Sequence, residues 1–174
     1  MNYKIAGWLV AVGVVGLMVL YVKEFDYIGN TIGYRSLVWR SLGVALGVGL
    51  YLGWRWQNRG KDRMDGIRIW IASVLFALFF APLAGSLTNR MLARGGVVYK
   101  TFEFIEEHPF ASSAYGFLEG EEIAPEGCYL FVFYEGKIRR LKRPACEFGD
   151  KVNGDKITLP VRTGLWGYEI VERN

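Results

Sequence analysis

The sequence holds one histidine and two cysteines, and none of its three long apolar runs carries an Asp, Glu, Lys or His at depth. Each shortage excludes something. Two cysteines and a single distant histidine do not supply four zinc ligands, so no metal site is assigned. His108 precedes Pro109 in a stretch that reads as a loop. It has no serine, cysteine or aspartate partner at motif spacing, so no nucleophile or catalytic residue is assigned. No phosphate-cradling loop is present either. The repeated Gly149-Asp150-Lys151 and Gly154-Asp155-Lys156 read as turn chemistry. The chain is therefore expected to be neither an enzyme nor a cofactor carrier. Proton relays, ion sites and voltage sensors place ionisable groups at membrane depth. Their absence argues against a self-sufficient pump or transporter and leaves room for a pore built by several copies.

What is present is apolar surface in long runs. Ile5 to Val22 contains no charge, and its eighteen residues span about 27 Å, close to the hydrocarbon thickness of a bilayer. It exceeds a signal-peptide core and is followed by Lys23-Glu24-Phe25 with no small-residue cleavage site, so it reads as a retained span. A second span is expected from about Leu37 to Trp54, with Arg40 near its start and able to snorkel. A third is expected from about Ile67 to Leu87, kinked where Pro82 removes a backbone donor. Aromatics fall at the ends: Trp8, Trp54, Trp56 and Trp70 at one interface, Tyr21, Tyr27, Tyr34 and Trp39 at the other.

The net charge of +4 hides a split. Residues 1–96 hold 11 basic and 4 acidic side chains, while residues 97–174 hold 10 basic and 13 acidic ones. The excess of positive charge thus sits in the membrane half, where it meets anionic headgroups and sets orientation. The soluble part is acidic, which argues against nucleic acid as a partner. The short loop 55–66 carries Arg55, Arg59, Lys61 and Arg63, whereas loop 23–36 carries Lys23 and Arg35 beside Glu24 and Asp26. By the positive-inside rule, loop 55–66 and the N-terminus are expected on the cytoplasmic side of an inner (cytoplasmic) membrane. Residues 97–174 are then expected outside. Arg90, Arg94 and Lys100 pull the other way.

Small residues recur at four-residue spacing. The third span carries Ser73, Ala77, Ala81 and Gly85. The second carries Gly43 and Gly47 on one stripe and Ala45, Gly49 and Gly53 on another. The first carries Gly7 and Ala11, then Gly13 and Gly16. In lipid such stripes let helices approach closely. They serve packing within the chain, docking onto another membrane protein, or docking onto a second copy.

Residues 97–174 read as a β-rich domain. Val97 to Ile105, Tyr129 to Tyr134, Lys137 to Arg143, Ile157 to Val161 and Trp166 to Val171 carry strand patterns, about six strands in all. The wholly apolar run Tyr129–Tyr134 suggests a central strand buried on both faces. Glu135-Gly136 and Asn153-Gly154 read as tight turns. A small antiparallel sheet, barrel or sandwich is expected. The hairpin sets Tyr134 opposite Lys137 and Cys128 opposite Arg143, which leaves Cys146 close enough for a Cys128–Cys146 disulfide; two buried free thiols are the alternative. Lys137, Arg139, Arg140, Lys142 and Arg143 crowd one strand. They form a patch for an anionic partner, or else a solvated edge whose charge blocks aggregation. Glu119, Glu121, Glu122 and Glu126 lack calcium-loop spacing and read as an exposed acidic loop.

The expectation is thus a non-catalytic integral membrane subunit that docks through its helices into a larger assembly or a homo-oligomer. Its β domain would contact partners, and lipid would surround its spans. The second reading is a membrane-anchored binding module, of sensor or immunity type, whose outer domain recognises a ligand, an envelope polymer or a toxin.

Overall fold

The computed structural model describes residues 3–60, 62–111 and 125–173. Four helices occur among them: α1 (Tyr3–Gly29), α2 (Tyr34–Trp56), α3 (Arg63–Phe79) and α4 (Ala81–Met91). Two segments are long and apolar enough to cross a membrane, Gly7–Gly29 and Tyr34–Arg59. The expected third span is not one straight helix. It breaks at Phe80, and α3 and α4 meet at a bend of 47°, so they make a third crossing only if the pair counts as one broken span. The cause is Pro82 in the first turn of α4. It has no N–H to donate and its ring displaces the preceding helical carbonyl. At the other end of α3, the Asp62 side chain accepts from the N–H of Asp65 at 2.7 Å and caps the helix.

α1 runs on past the expected end of its span, through Lys23, Glu24 and Asp26 to Gly29. The segment that follows is not a plain loop. Thr31–Ile32 forms a two-residue strand, β1, and Gly33 then turns at φ 78 into α2. The remaining strands are β2 (Val97–Phe110), β3 (Gly127–Tyr134), β4 (Lys137–Arg143), β5 (Lys156–Thr163) and β6 (Glu169–Val171). They form one antiparallel sheet in the order β1-β6-β5-β2-β3-β4. The sixth strand therefore comes from between the first two helices: Thr31 pairs with Ile170 and Ile32 with Glu169. Trp166, expected in a strand, lies in the turn before β6.

The hairpin register is Tyr134 opposite Lys137 and Cys128 opposite Arg143. Glu135 (φ 50) and Gly136 (φ 73) make the turn, the left-handed pair that a two-residue hairpin needs. A bulge between Phe104 and Glu106 bends β2 and curls the sheet. The concave face holds the core: Phe102 and Phe104 from β2, Leu130 and Val132 from β3, Leu141 from β4, and Ile157, Leu159 and Val161 from β5. Ile32 of β1 joins them. The expectation that β3 is buried on both faces is corrected here. Cys128, Leu130 and Val132 are wholly buried, but Phe133 is 41 % exposed on the convex side. The sheet is a single layer with one covered face, so the alternate residues of an apolar strand look outward. His108, expected in a loop, lies within β2, which extends to Phe110.

Candidate functional site

The two small-residue stripes of α2 have different fates. Gly49 lies against the backbone of Val74 and the Cβ of Ala77, so closely that an added methyl group would stand 2.9 and 3.1 Å from them. Ser73, beside them, donates its hydroxyl to the carbonyl of Ile69. Gly53 receives the Trp70 ring in the same way. Gly85 of α4 meets Ser41, and Ala81 is buried beside it. These residues join α2 to α3 and α4, as close contact between small residues allows. Gly43 and Gly47, by contrast, have nothing within 4 Å of a built Cβ. They lie on an exposed stripe with Trp39, Leu50 and Trp54. Gly7, Gly13 and Gly16 of α1 are equally open. Between Leu9 and Val22, α1 presents Leu9, Val12, Val15, Met18 and Val19 all exposed.

α1 meets the α3–α4 bend through the Tyr21 ring, 6.1 and 6.4 Å from those of Phe79 and Phe80, and is tied further by polar groups at its sheet-side end. Glu24 is 1 % exposed and accepts both arms of Arg90, at 2.8 and 3.2 Å, and the Ser86 hydroxyl at 2.8 Å. The Arg90 guanidinium stacks 4.0 Å from the centre of the Tyr27 ring. Two residues along, Asp26 accepts from Lys142 at 2.9 Å and from Arg173 at 3.0 Å. Asn30 then bridges the two ends of the curled sheet. Its carbonyl accepts from Val171 of β6, while its side-chain amide accepts from the Lys142 N–H and donates to the Lys142 carbonyl. From α4, Asn89 does a matching service: it donates to the Tyr168 carbonyl and accepts from the Trp166 N–H. Arg40 of α2 reaches the Tyr168 ring, 5.3 Å from its centre. Helices and sheet are thus joined through side chains that sequence patterns assign to loops and helix ends. One local signal was available: the β-branched pair Thr31-Ile32 lies between Gly29-Asn30 and Gly33, which is strand-and-turn chemistry in miniature.

The basic strand β4 divides by face. Arg143 is 2 % exposed and turns inward, where it donates to the Glu172 carbonyl and to Glu147. Lys142 is held by Asp26. Arg140 lies 4.9 Å over the Tyr129 ring. The side chains of Lys137 and Arg139, and that of Arg35 across from them, make no hydrogen bond or ion pair among the described residues. Arg139 even carries a buried Nε without a partner. Two adjoining clefts separate β4 from the α1–β1–α2 turn. The first, of about 490 Å³, is lined by Phe25, Asp26, Tyr34, Arg139, Arg140 and Lys142 among others. The second, of about 450 Å³, is lined by Gly33, Tyr34, Arg35, Ser36, Lys137 and Arg139 with Ile138.

Cys128 and Cys146 are joined as a disulfide with Cα atoms 5.2 Å apart. Glu107 lies close by, but both of its oxygens accept backbone N–H groups, from Glu147 and Phe148. That set offers a cation nothing, since bonded sulfurs are not thiolate ligands. Among the described residues His108 meets Glu106, at 3.1 Å, and the edge of Phe131. Lys100 donates to Glu169 at 2.6 Å and to the Tyr134 hydroxyl at 3.2 Å. The Glu169 hydrogen bond, reinforced by that of Tyr134, raises the Lys100 pKa above the ordinary lysine value. Glu119, Glu121 and Glu122 lie outside the described residues, as does Lys61 of the basic loop.

Compared with known proteins, the chain matches no family model, no curated protein and no solved structure.

Proposed function

We propose that this protein is a non-catalytic integral membrane subunit that docks through α1 and the open face of α2 onto another membrane protein or a second copy of itself. The observation that carries this reading is the contrast between stripes. Gly49 and Gly53 are filled by α3, while Gly43 and Gly47 lie bare in the same helix. Small residues at four-residue spacing serve close helix approach, and a bare stripe is what a missing neighbour leaves. The membrane is the cytoplasmic one, with the N-terminus and loop 55–66 inside, and α3–α4 act as one broken third span. Pairing of β1 with β6 puts the α1–α2 connection and the sheet at one end of the helices, which supports a common side for both. Two of the three basic residues that oppose this orientation are ion-paired, Arg90 with Glu24 and Lys100 with Glu169. A disulfide in the sheet domain is in keeping with an oxidising compartment there.

Purification of the full chain in a gentle detergent, followed by native mass spectrometry, tests this. A homo-oligomer or a stoichiometric membrane partner is expected. A bare monomer with nothing bound would remove the reading.

The second reading, a membrane-anchored binding module, is favoured by the cation-lined clefts beside β4. Replacing the helices by unrelated spans separates the two. Retained function favours the module, and lost function favours the subunit.

A further inference from the structure

The clefts between β4 and the α1–β1–α2 turn hold more positive charge than the fold uses. Among the described residues Asp26 is the one carboxylate that lines them, and Lys142 and Arg173 already neutralise it. Four further cations remain: Arg35, Lys137, Arg139 and Arg140. Arg140 has only the Tyr129 ring beneath it, and the other three have no hydrogen-bonding or ionic partner among the described residues. Arg139 lines both clefts, and its buried Nε, like those of Arg143 and Arg162, has no hydrogen-bond acceptor among the described residues, which is costly. Self-repulsion among four neighbouring cations adds to that cost. An anion between them relieves that repulsion.

The position of the clefts selects the anion. Their walls include Phe25 near the sheet-side end of α1, and Tyr34 and Arg35 in the first turn of α2. Both helices pass from there into the segments apolar enough to cross a membrane. Aromatic rings and a helix-end arginine at that depth are where lipid phosphates lie. A solvated edge strand would also carry charge, but it would have no reason to gather Arg35 of α2 and the β4 cations around two adjoining clefts.

The geometry points to a binding site for the phosphate of an anionic phospholipid headgroup, held by Arg35, Lys137, Arg139 and Arg140 where the sheet meets the membrane surface. This rests on the membrane-embedded reading above. It also gives the edge of β4 a role in fixing the sheet domain against the bilayer.

The test uses the full chain reconstituted in phosphatidylcholine vesicles and, in parallel, in mixed micelles titrated with phosphatidylglycerol and read by native mass spectrometry. Co-flotation with pure phosphatidylcholine vesicles reports embedding alone, so its failure strikes the membrane reading and not this site specifically. With flotation retained, phosphatidylglycerol should be held in preference to phosphatidylcholine in a saturable one-to-one complex. Lys137→Gln, an exposed change that leaves the core untouched, and Arg139→Gln should each weaken it about fivefold. Arg59→Gln, at the other end of the helices, should not. Equal retention of both lipids, or unchanged binding in the two variants, overturns the proposal. So does inorganic phosphate binding as tightly as the lipid, which would make the ligand a solute. Displacement of lipid by hexaglutamate at lower concentration would reassign the groove to an acidic protein segment and overturn it as well.

Discussion

The side-chain amide of Asn30 behaves toward Lys142 as a neighbouring strand would: it accepts the Lys142 N–H at 2.8 Å and donates to the Lys142 carbonyl at 3.0 Å. The contact bridges 112 positions in sequence and links the first strand of the sheet order to the last. Asn30 is 1 % exposed, so water cannot replace either bond. Asn30→Ala should cost about 2–3 kcal/mol, from two lost hydrogen bonds and backbone groups left unpaired. Asn30→Asp keeps the acceptor but sets a carboxylate against the Lys142 carbonyl, and should also destabilise. Hydrogen exchange checks this directly: the Lys142 amide should lose protection first, with β3 still protected.

Glu24 and Arg90 tether the sheet-side end of α1 to α4. Glu24→Gln should lower stability by about 1–3 kcal/mol, because it leaves Arg90 and Ser86 aimed at a weaker, neutral acceptor. The double variant Glu24→Gln/Arg90→Gln should lose less than the sum of the two single changes, since the residues form one network. Chemical unfolding of the four forms in a single detergent measures the coupling.

The Cys128–Cys146 bond closes a loop of 18 residues. In the chain-entropy account, its reduction should destabilise the sheet by about 3 kcal/mol. Unfolding with and without reductant tests that value. Thiol labelling of denatured, unreduced protein taken from cells should give no signal. Alkaline phosphatase fused after Asn174 should be active. A silent phosphatase with both thiols labelled would place the sheet in the cytoplasm.

Lys100 and Glu169 link β2 to β6 with a pH signature. The folded-state pKa of Lys100 is raised above its ordinary value of 10.5. Its contribution is therefore fully present below 10.5 and is lost as pH climbs through the higher folded value. The side chain is 33 % exposed, so the gain at neutral pH is under about 1 kcal/mol. Lys100→Met should flatten the alkaline limb of a stability-against-pH curve and leave its acid limb in place.

How far the fold could be read from sequence differs by element. Runs such as Ile5–Val22 and Leu37–Trp54 were legible because eighteen apolar residues have few other places to go. The hairpin was legible because Glu135-Gly136 fixes both turn type and register. β1 was not, because two residues carry no periodicity and its pairing partner is over 130 positions away. Asn30 and Asn89 gave no signal for a related reason: each replaces backbone pairing by a side chain, and patterns describe backbones. Glu24 and Asp26 read as loop charges that offset Lys23 and Arg35, whereas Glu24 is buried against a helix 66 positions on. The two stripes of α2 look alike in sequence. Only the rotation of the helix about its axis decides that Gly49 meets α3 and Gly43 does not.

That difference also yields the most direct test of the proposed subunit role. Gly43→Leu/Gly47→Leu fills the bare stripe, where an added Cβ meets no described atom within 4 Å, so the fold and the melting temperature should stay as they are. Gly49→Leu should unfold the α2–α3 contact and serves as the contrast. The measurement is native mass spectrometry of the wild type and the Gly43→Leu/Gly47→Leu form from the same detergent. The account predicts an oligomer or a partnered complex for the first and a folded, unpartnered monomer for the second. Identical assemblies from both would contradict it.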